Sequence, residues 1–174
     1  MPRERLFVAA AFALAALMLA TPGYALFGPS ELDKERIAVR LVREVQRGGY
    51  DVVTAEGLKS WIDEGRDLLI VDTMPYETSY AKQHIPGAEQ FLFPVPEMEA
   101  WGSSKTGGKS MEAFKRLLGS DRDRLIVFYC GFVKCTRSHN GAMWAAKLGY
   151  TNVYRYPAGI KGWEEADYPT ASAE

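Results

Sequence analysis

Residues 125–138 read Leu-Ile-Val-Phe-Tyr-Cys-Gly-Phe-Val-Lys-Cys-Thr-Arg-Ser, and this stretch decides the fold. Its first five residues are an unbroken apolar run, which is typical of a strand buried on both faces of a parallel sheet. Cys130 follows directly, and a polar loop then leads to a helix predicted from Arg137 to Leu148. A strand that passes through a loop into a helix is the repeating unit of an α/β fold.

The remaining chain continues this alternation of strands and helices. Strands are predicted at residues 51–53, 68–71, 89–92, 125–129 and 152–155, with helices between them. The Pro-, Gly-, Ser- and Lys-rich segment 94–109 is expected to form an exposed loop. We therefore expect a three-layer α/β domain, with a parallel sheet of about five strands and helices on both faces.

The first 25 residues have the layout of a secretory signal peptide. Two arginines precede the apolar run Leu6–Ala20, and small residues lead up to Ala25. A membrane anchor is the alternative, but this run has 15 residues, whereas a spanning helix needs ~20. We expect cleavage after Ala25, a periplasmic or otherwise exported protein, and no stable membrane insertion after cleavage.

The sequence and its composition indicate a domain organisation and exclude some classes of partner. After the signal peptide we expect an N-terminal helical extension at 26–49, the main domain at 50–170 and a tail at 171–174. The 21 basic and 22 acidic residues nearly balance, which gives no electrostatic footprint for nucleic acid. The two cysteines and two scattered histidines lack the ligand spacing of a zinc site, so neither a metal nor a cofactor is expected.

Cys130 is the candidate nucleophile because it stands between a strand end and a helix start. Loop amides and a helix N-terminus both stabilise an anion, so we expect the pKa of this thiol to lie below its ordinary value of about 8.5. Lys134 adds a local positive charge. The alternative is that Cys130 is a small buried hydrophobe at the end of a core strand.

The loop after Cys130 is the candidate anion site. Arg137 is unusual because a cation in the first turn of a helix opposes the helix dipole. It therefore either binds an anionic ligand or pairs with a carboxylate such as Asp72 or Glu77, which are expected to support the site. The candidate substrate-binding residues are Gly131, Phe132, Val133, Lys134, Thr136, Arg137 and Ser138.

The chain resembles a rhodanese-like domain from about Tyr50 to Pro169. The resemblance is carried by the segment from Tyr129 through Ser138, by His84-Ile85-Pro86-Gly87-Ala88, and by Ala158-Gly159-Ile160-Lys161-Gly162-Trp163. It implies a sulfurtransferase, in which Cys130 takes sulfur from a small anionic donor such as thiosulfate or polysulfide. The resulting persulfide would pass sulfur to a thiol or cyanide-type acceptor, or to a redox partner protein.

The loop departs from the usual pattern of that family. Rhodanese loops commonly place an arginine five positions after the nucleophile, whereas Arg137 stands seven positions after Cys130. The loop is therefore an enlarged variant with two cysteines. Thr73 and Met74 follow Asp72 where many relatives have a valine and an arginine, so one basic group for an anionic donor is missing.

Cys135 leaves the mechanism open. It could attack a Cys130 persulfide and release sulfide, protect Cys130 during oxidation, or only pack under the loop. A dithiol–disulfide redox protein that uses both cysteines is the alternative enzyme, and a non-catalytic binding module is the alternative of another class. A phosphatase or arsenate reductase ranks last because the loop spacing differs.

Overall fold

Five strands form one parallel sheet in the computed structural model of the protein, which describes residues 28–173. Their order across the sheet is β1-β5-β4-β2-β3, so the strand that precedes Cys130 lies at the centre. The predicted signal peptide at 1–25 lies outside the described residues. The strands are β1 Asp51–Val52, β2 Leu68–Asp72, β3 Glu89–Gln90, β4 Leu125–Tyr129 and β5 Val153–Tyr156.

Within residues 28–173, five α-helices alternate with these strands, and from Arg36 onward the chain forms one compact unit. Thr54 and Ser110 cap the helices that follow them by accepting backbone N–H groups. No helix within residues 28–173 is long and apolar enough to cross a membrane. The helices are α1 Glu31–Gly48, α2 Ala55–Asp63, α3 Met111–Leu118, α4 Arg137–Lys147 and α5 Gly159–Glu165.

The sheet is covered on both faces by separate apolar cores. Alternate residues of β4 divide between them, with Ile126 and Phe128 in one core and Val127 and Tyr129 in the other. This division follows from the two-residue repeat of a strand. The expected three-layer α/β fold with five parallel strands is therefore confirmed.

The segment 94–109 is mostly exposed and irregular, as its composition predicts, but a few of its residues anchor it to the core. Met98 and Thr106 are fully buried, and Trp101 packs against the rings of Phe93 and Trp144. A short 3-10 turn at Ser103–Thr106 interrupts the segment. Contacts of Met98 and Trp101 with Trp144 on α4, which the local composition does not show, hold the segment against the core.

Candidate functional site

The loop between β4 and α4 lies at the carboxyl end of the sheet, where parallel α/β proteins bind their ligands. Cys130 follows the last residue of β4 and Ser138 stands in the first turn of α4. The backbone of Cys135 turns back within the loop, because its N–H donates to the Phe132 carbonyl at 2.9 Å. Both cysteines are therefore held beside the start of α4.

The start of α5 clamps the backbone of this loop. The Ile160 N–H donates to the Cys130 carbonyl at 2.9 Å, and the Lys161 N–H donates to the Gly131 carbonyl at 3.1 Å. Gly159 makes this approach possible because it has a φ of 65° and no side chain. A Cβ atom at Gly159 would lie 2.2 Å from the Cys130 carbonyl oxygen.

Cys130 is fully buried and hydrogen-bonded within the loop. Its Sγ lies 3.2 Å from the Cys135 carbonyl oxygen and 3.2 Å from the Ser138 Oγ. Burial raises the pKa of the Cys130 thiol well above its ordinary value, and the neighbouring Cys135 sulfur raises it further. The expectation of an acidic Cys130 was therefore wrong, because loss of solvent outweighs the stabilising hydrogen bonds from Ser138.

Cys135 is the acidic thiol of the pair. A hydrogen bond from the Cys130 thiol, supported by the amides of Arg137 and Gly131, lowers the pKa of Cys135 to about 6. The side chain remains 7% exposed. Of the two thiols, Cys135 therefore ionises more readily than Cys130.

The tip of the loop faces solvent. Phe132, Val133 and Lys134 are exposed, whereas Gly131 is buried beneath them. Lys161 stands over the Phe132 ring at 6.0 Å from its centroid. The structure thus brings the predicted loop residues together but divides them into an exposed tip and a buried floor that holds both sulfur atoms.

The side chains of Thr136 and Arg137 bind the backbone of the neighbouring segment. Thr136 donates to the Val95 carbonyl and Arg137 donates to the Phe93 carbonyl. Within the described part of the chain, Arg137 has no ion pair with Asp72 or Glu77, so the structure does not show the carboxylate alternative and is compatible with the ligand-binding one. A half-exposed guanidinium with one carbonyl partner retains donors for a ligand.

Asp72 is buried at the end of β2, whereas Glu77 is exposed on the π-helical turn Tyr76–Tyr80. One carboxylate oxygen of Asp72 accepts the Met74 N–H at 2.8 Å, and the other has no hydrogen-bond partner. Burial raises the pKa of Asp72 to about 6. Asp72 interacts electrostatically with Cys135 and therefore contributes to the local field of the site.

Sequence reasoning missed Arg155 and Glu44, which form a buried ion pair behind the loop. Arg155 lies on β5 and is fully buried, and its Nη1 donates to Glu44 on α1 at 2.5 Å. The only signal was a basic residue inside a predicted buried strand. Charged side chains are almost never buried without a partner, so that position called for a carboxylate from elsewhere in the chain.

An apolar recess adjoins the site on the side of β1 and β5. It encloses about 360 Å³ and is lined by Leu41, Val52, Val133, Tyr156, Pro157 and Ala158, among others. Val133 belongs to the loop between β4 and α4, so movement of the loop tip would change the shape of this recess.

Three solved structures have the same fold. A Bacillus halodurans protein is 20% identical, with a TM-score of 0.55, and the match covers 78% of this chain and 87% of that one. A Pseudomonas aeruginosa thiosulfate sulfurtransferase is 20% identical, with a TM-score of 0.56 and coverage of 79% and 23%. A Rhodopseudomonas palustris protein, described as a possible tyrosine phosphatase, is 20% identical, with a TM-score of 0.53 and coverage of 87% and 100%.

A family model also matches the chain. The model for the rhodanese-like domain matches residues 54–166, which include all of β2 to β5 and the loop with both cysteines. No curated protein matches the chain significantly.

Proposed function

Because the chain belongs to the rhodanese-like domain family, we propose that it is an exported sulfurtransferase that carries sulfane sulfur on Cys130. The donor is a small anion such as thiosulfate or polysulfide, and the acceptor is a thiol, cyanide or a redox partner protein. One observation carries the proposal: Cys130 follows the central strand, and its Sγ lies 3.2 Å from both the Cys135 carbonyl oxygen and the Ser138 Oγ at the start of α4. The enzyme needs no metal or cofactor for this chemistry.

Sulfur uptake begins with proton transfer between the cysteines. The Cys135 thiolate accepts the proton of Cys130 along their hydrogen bond, as a general base does. The Cys130 sulfur then attacks the sulfane sulfur of thiosulfate. The S–S bond of the donor breaks, sulfite leaves with the electron pair, and Cys130 carries a persulfide.

The donor reaches this sulfur through the tip of the loop. Cys130 is fully buried, so the exposed tip at Phe132, Val133 and Lys134 has to move before the donor arrives. Lys134 and Arg137 supply positive charge along that path. The Ser138 amide at the N-terminus of α4 stabilises the negative charge on the persulfide.

Two routes discharge the persulfide. An external thiol or cyanide can attack its terminal sulfur, which leaves the Cys130 thiolate and restores the enzyme. The Cys135 thiolate can instead attack the Cys130 Sγ, which forms a disulfide and releases hydrosulfide. This second route ends in an oxidised enzyme, so a dithiol reductant has to supply two electrons for the next cycle.

Variants of the two cysteines separate this proposal from its alternatives. We expect Cys130→Ser to abolish donor-dependent sulfite release and Cys135→Ser to reduce its rate by a factor on the order of 10²–10⁴, the range of a lost general base. Full transfer by Cys130→Ser would reverse the assignment. If neither the wild type nor a variant transfers sulfur from any sulfane donor, the result would favour the non-catalytic binding module.

A dithiol–disulfide redox protein is the second candidate, favoured by the 3.2 Å hydrogen bond from the Cys130 thiol to the Cys135 carbonyl, which holds the two cysteines together. Such a protein would form the disulfide with ordinary oxidants and would never carry an added sulfur. Oxidation with a small disulfide, followed by mass measurement with and without thiosulfate, distinguishes the two.

Export is part of the proposal and rests on residues 1–25. Expressed from its full gene in a bacterial host, the protein should be recovered from the periplasm with Leu26 as its first residue. Recovery of a soluble cytoplasmic product that still begins at Met1 would contradict export. N-terminal sequencing of each cell fraction makes the measurement.

A further inference from the structure

A buried ion pair reaches the floor of the loop from the N-terminal helix. Arg155 on β5 is fully buried, and Glu44 on α1 is 3% exposed. The pair keeps both charges, since Arg155 holds the pKa of Glu44 below its ordinary value although burial acts to raise it. Breaking a buried pair leaves an uncompensated charge, so such a pair is retained only where its geometry is well satisfied.

The guanidinium of Arg155 shares its acceptors with the Cys130 sulfur. Arg155 Nε donates to the Ser138 Oγ at 2.9 Å, and Arg155 Nη2 donates to the Cys135 carbonyl at 2.9 Å. The Cys130 Sγ lies 3.2 Å from each of these two oxygen atoms. On each side, a single oxygen atom therefore lies between the guanidinium group and the Cys130 sulfur.

This arrangement fixes the direction of the Ser138 hydroxyl. A guanidinium only donates hydrogen bonds, so Ser138 has to accept from Arg155, and its single proton is left for another partner. The Cys130 sulfur is that partner. A hydroxyl that donates to sulfur favours the thiolate over the thiol, and a nearby positive charge does the same.

Resting on the proposed function, we propose that Arg155 is a positioning residue that stabilises the Cys130 thiolate through Ser138, and that Glu44 moderates it. Glu44 lies outside the matched family region 54–166. The N-terminal helix therefore takes part in the chemistry of the site. The two charges act in opposite directions on the sulfur: Arg155 favours its ionisation and Glu44 opposes it.

The other charged and titratable groups around this cluster stay the same in the test. They are Arg40 and Tyr50 beside the ion pair, His139 on α4, and Asp72 near the loop floor. Cys135 is replaced by serine throughout, so that Cys130 is the only thiol that reacts.

The test measures the pH dependence of Cys130 alkylation in full-length Cys135→Ser protein. Adding Arg155→Met should raise the pKa of Cys130 by about one unit or more, the effect of losing an opposite charge at this range. Arg155→Lys should restore part of the shift. Glu44→Gln should lower the pKa, although it weakens the same ion pair and destabilises the fold.

Opposite shifts distinguish this role from a structural one. Loss of packing alone would lower the melting temperature in both variants without moving the pKa, or would move it in the same direction, and either result overturns the proposal. The exposed pair Arg66 and Glu64 provides the matched control: Arg66→Met and Glu64→Gln should leave the pKa of Cys130 unchanged.

The outcome does not depend on whether Arg155→Met folds. If it does not, Ser138→Ala and Glu44→Gln decide, with the first expected to raise the pKa of Cys130 and the second to lower it. Alkylation requires no sulfur donor. A failure of this proposal is therefore distinguishable from a failure of sulfur transfer.

Discussion

Gly159 shows how one missing side chain shapes the site. Replacing Gly159 by alanine should cost several kcal/mol and displace the loop, because its Cβ would overlap the Cys130 carbonyl at 2.2 Å. Gly65 provides the control, since it has nearly the same φ, 67°, and open space around the added atom. Gly65→Ala should cost only the ~1 kcal/mol of a left-handed alanine.

The two variants are compared by urea denaturation and by the rate of Cys130 alkylation. Gly159→Ala should expose Cys130 and speed its alkylation at high pH, whereas Gly65→Ala should leave that rate unchanged. Equal losses of stability in the two variants would show that the contact between Gly159 and Cys130 is unimportant.

The acidity of Cys135 predicts the pH dependence of sulfur uptake. Its pKa is lowered to about 6, so Cys135 is ionised above that pH and able to accept the Cys130 proton. The rate of sulfite release should therefore fall as pH decreases through about 6. In Cys135→Ser this acid limb should disappear, and uptake should instead rise at the higher pH where Cys130 itself ionises. Persistence of the acid limb in the variant would rule out Cys135 as the base.

At the scale of secondary-structure elements, Asn140 joins α4 to the segment that follows β3. Its side chain is buried, donates to the Pro94 and Pro96 carbonyls at 2.8 and 2.9 Å, and accepts the Met98 N–H at 2.8 Å. Three backbone groups of one irregular segment thus depend on one residue.

Replacing Asn140 by alanine should therefore cost about 2–4 kcal/mol, since buried partners would be left unsatisfied. Asn152, whose side chain donates one exposed hydrogen bond to the Asp123 carbonyl at 3.2 Å, is the matched control. Asn152→Ala should cost less than about 1 kcal/mol. Chemical denaturation measures both, and similar losses would contradict the assigned role of Asn140.

Elements with a strong local pattern could be predicted from the sequence, and contacts distant in sequence could not. The apolar run of β4 and the position of Cys130 at its end follow from periodicity and fold class. The burial of Met98 does not, because it depends on Asn140, 42 positions away. The pairing of Arg155 with Glu44 is also long-range.

The acidity of the two thiols shows the same limit. The position of Cys130 before a helix predicts a stabilised anion, and hydrogen bonds from Ser138 do lower its pKa. Burial raises it by more, and the extent of burial is set by how the exposed loop tip covers the sulfur. Cys135 lies in the same loop, and it accepts hydrogen bonds from loop amides that were expected from the sequence to stabilise Cys130.

For the whole molecule, two buried groups give opposite contributions to stability between about pH 4 and pH 6.5. Burial lowers the pKa of His139 to about 4. The contribution of His139 to stability is therefore fully present above the ordinary pKa of histidine and is lost as the pH falls toward 4. Burial raises the pKa of Asp72 to about 6, so the folded state keeps the Asp72 proton at a pH where the unfolded chain has lost it. The contribution of Asp72 to stability is therefore lost as the pH rises toward 6.

Replacing one of the two groups should leave only the pH dependence that the other gives to the free energy of unfolding. Asp72→Asn should lose stability more steeply than wild type as pH falls from 6.5 to 4, whereas His139→Gln should lose less or gain. Urea denaturation at several pH values measures the free energy of unfolding for each. Parallel profiles for the two variants and wild type would show that neither group titrates as described.

The most direct test of the central claim is the intact mass of Cys135→Ser protein after treatment with thiosulfate. Cys130 is then the only thiol, so the account predicts an adduct one sulfur heavier, which an added thiol removes. Wild type should release sulfide and end two hydrogens lighter than its reduced form. An unchanged mass in Cys135→Ser, or the same adduct in Cys130→Ser, would contradict Cys130 as the carrier of sulfane sulfur.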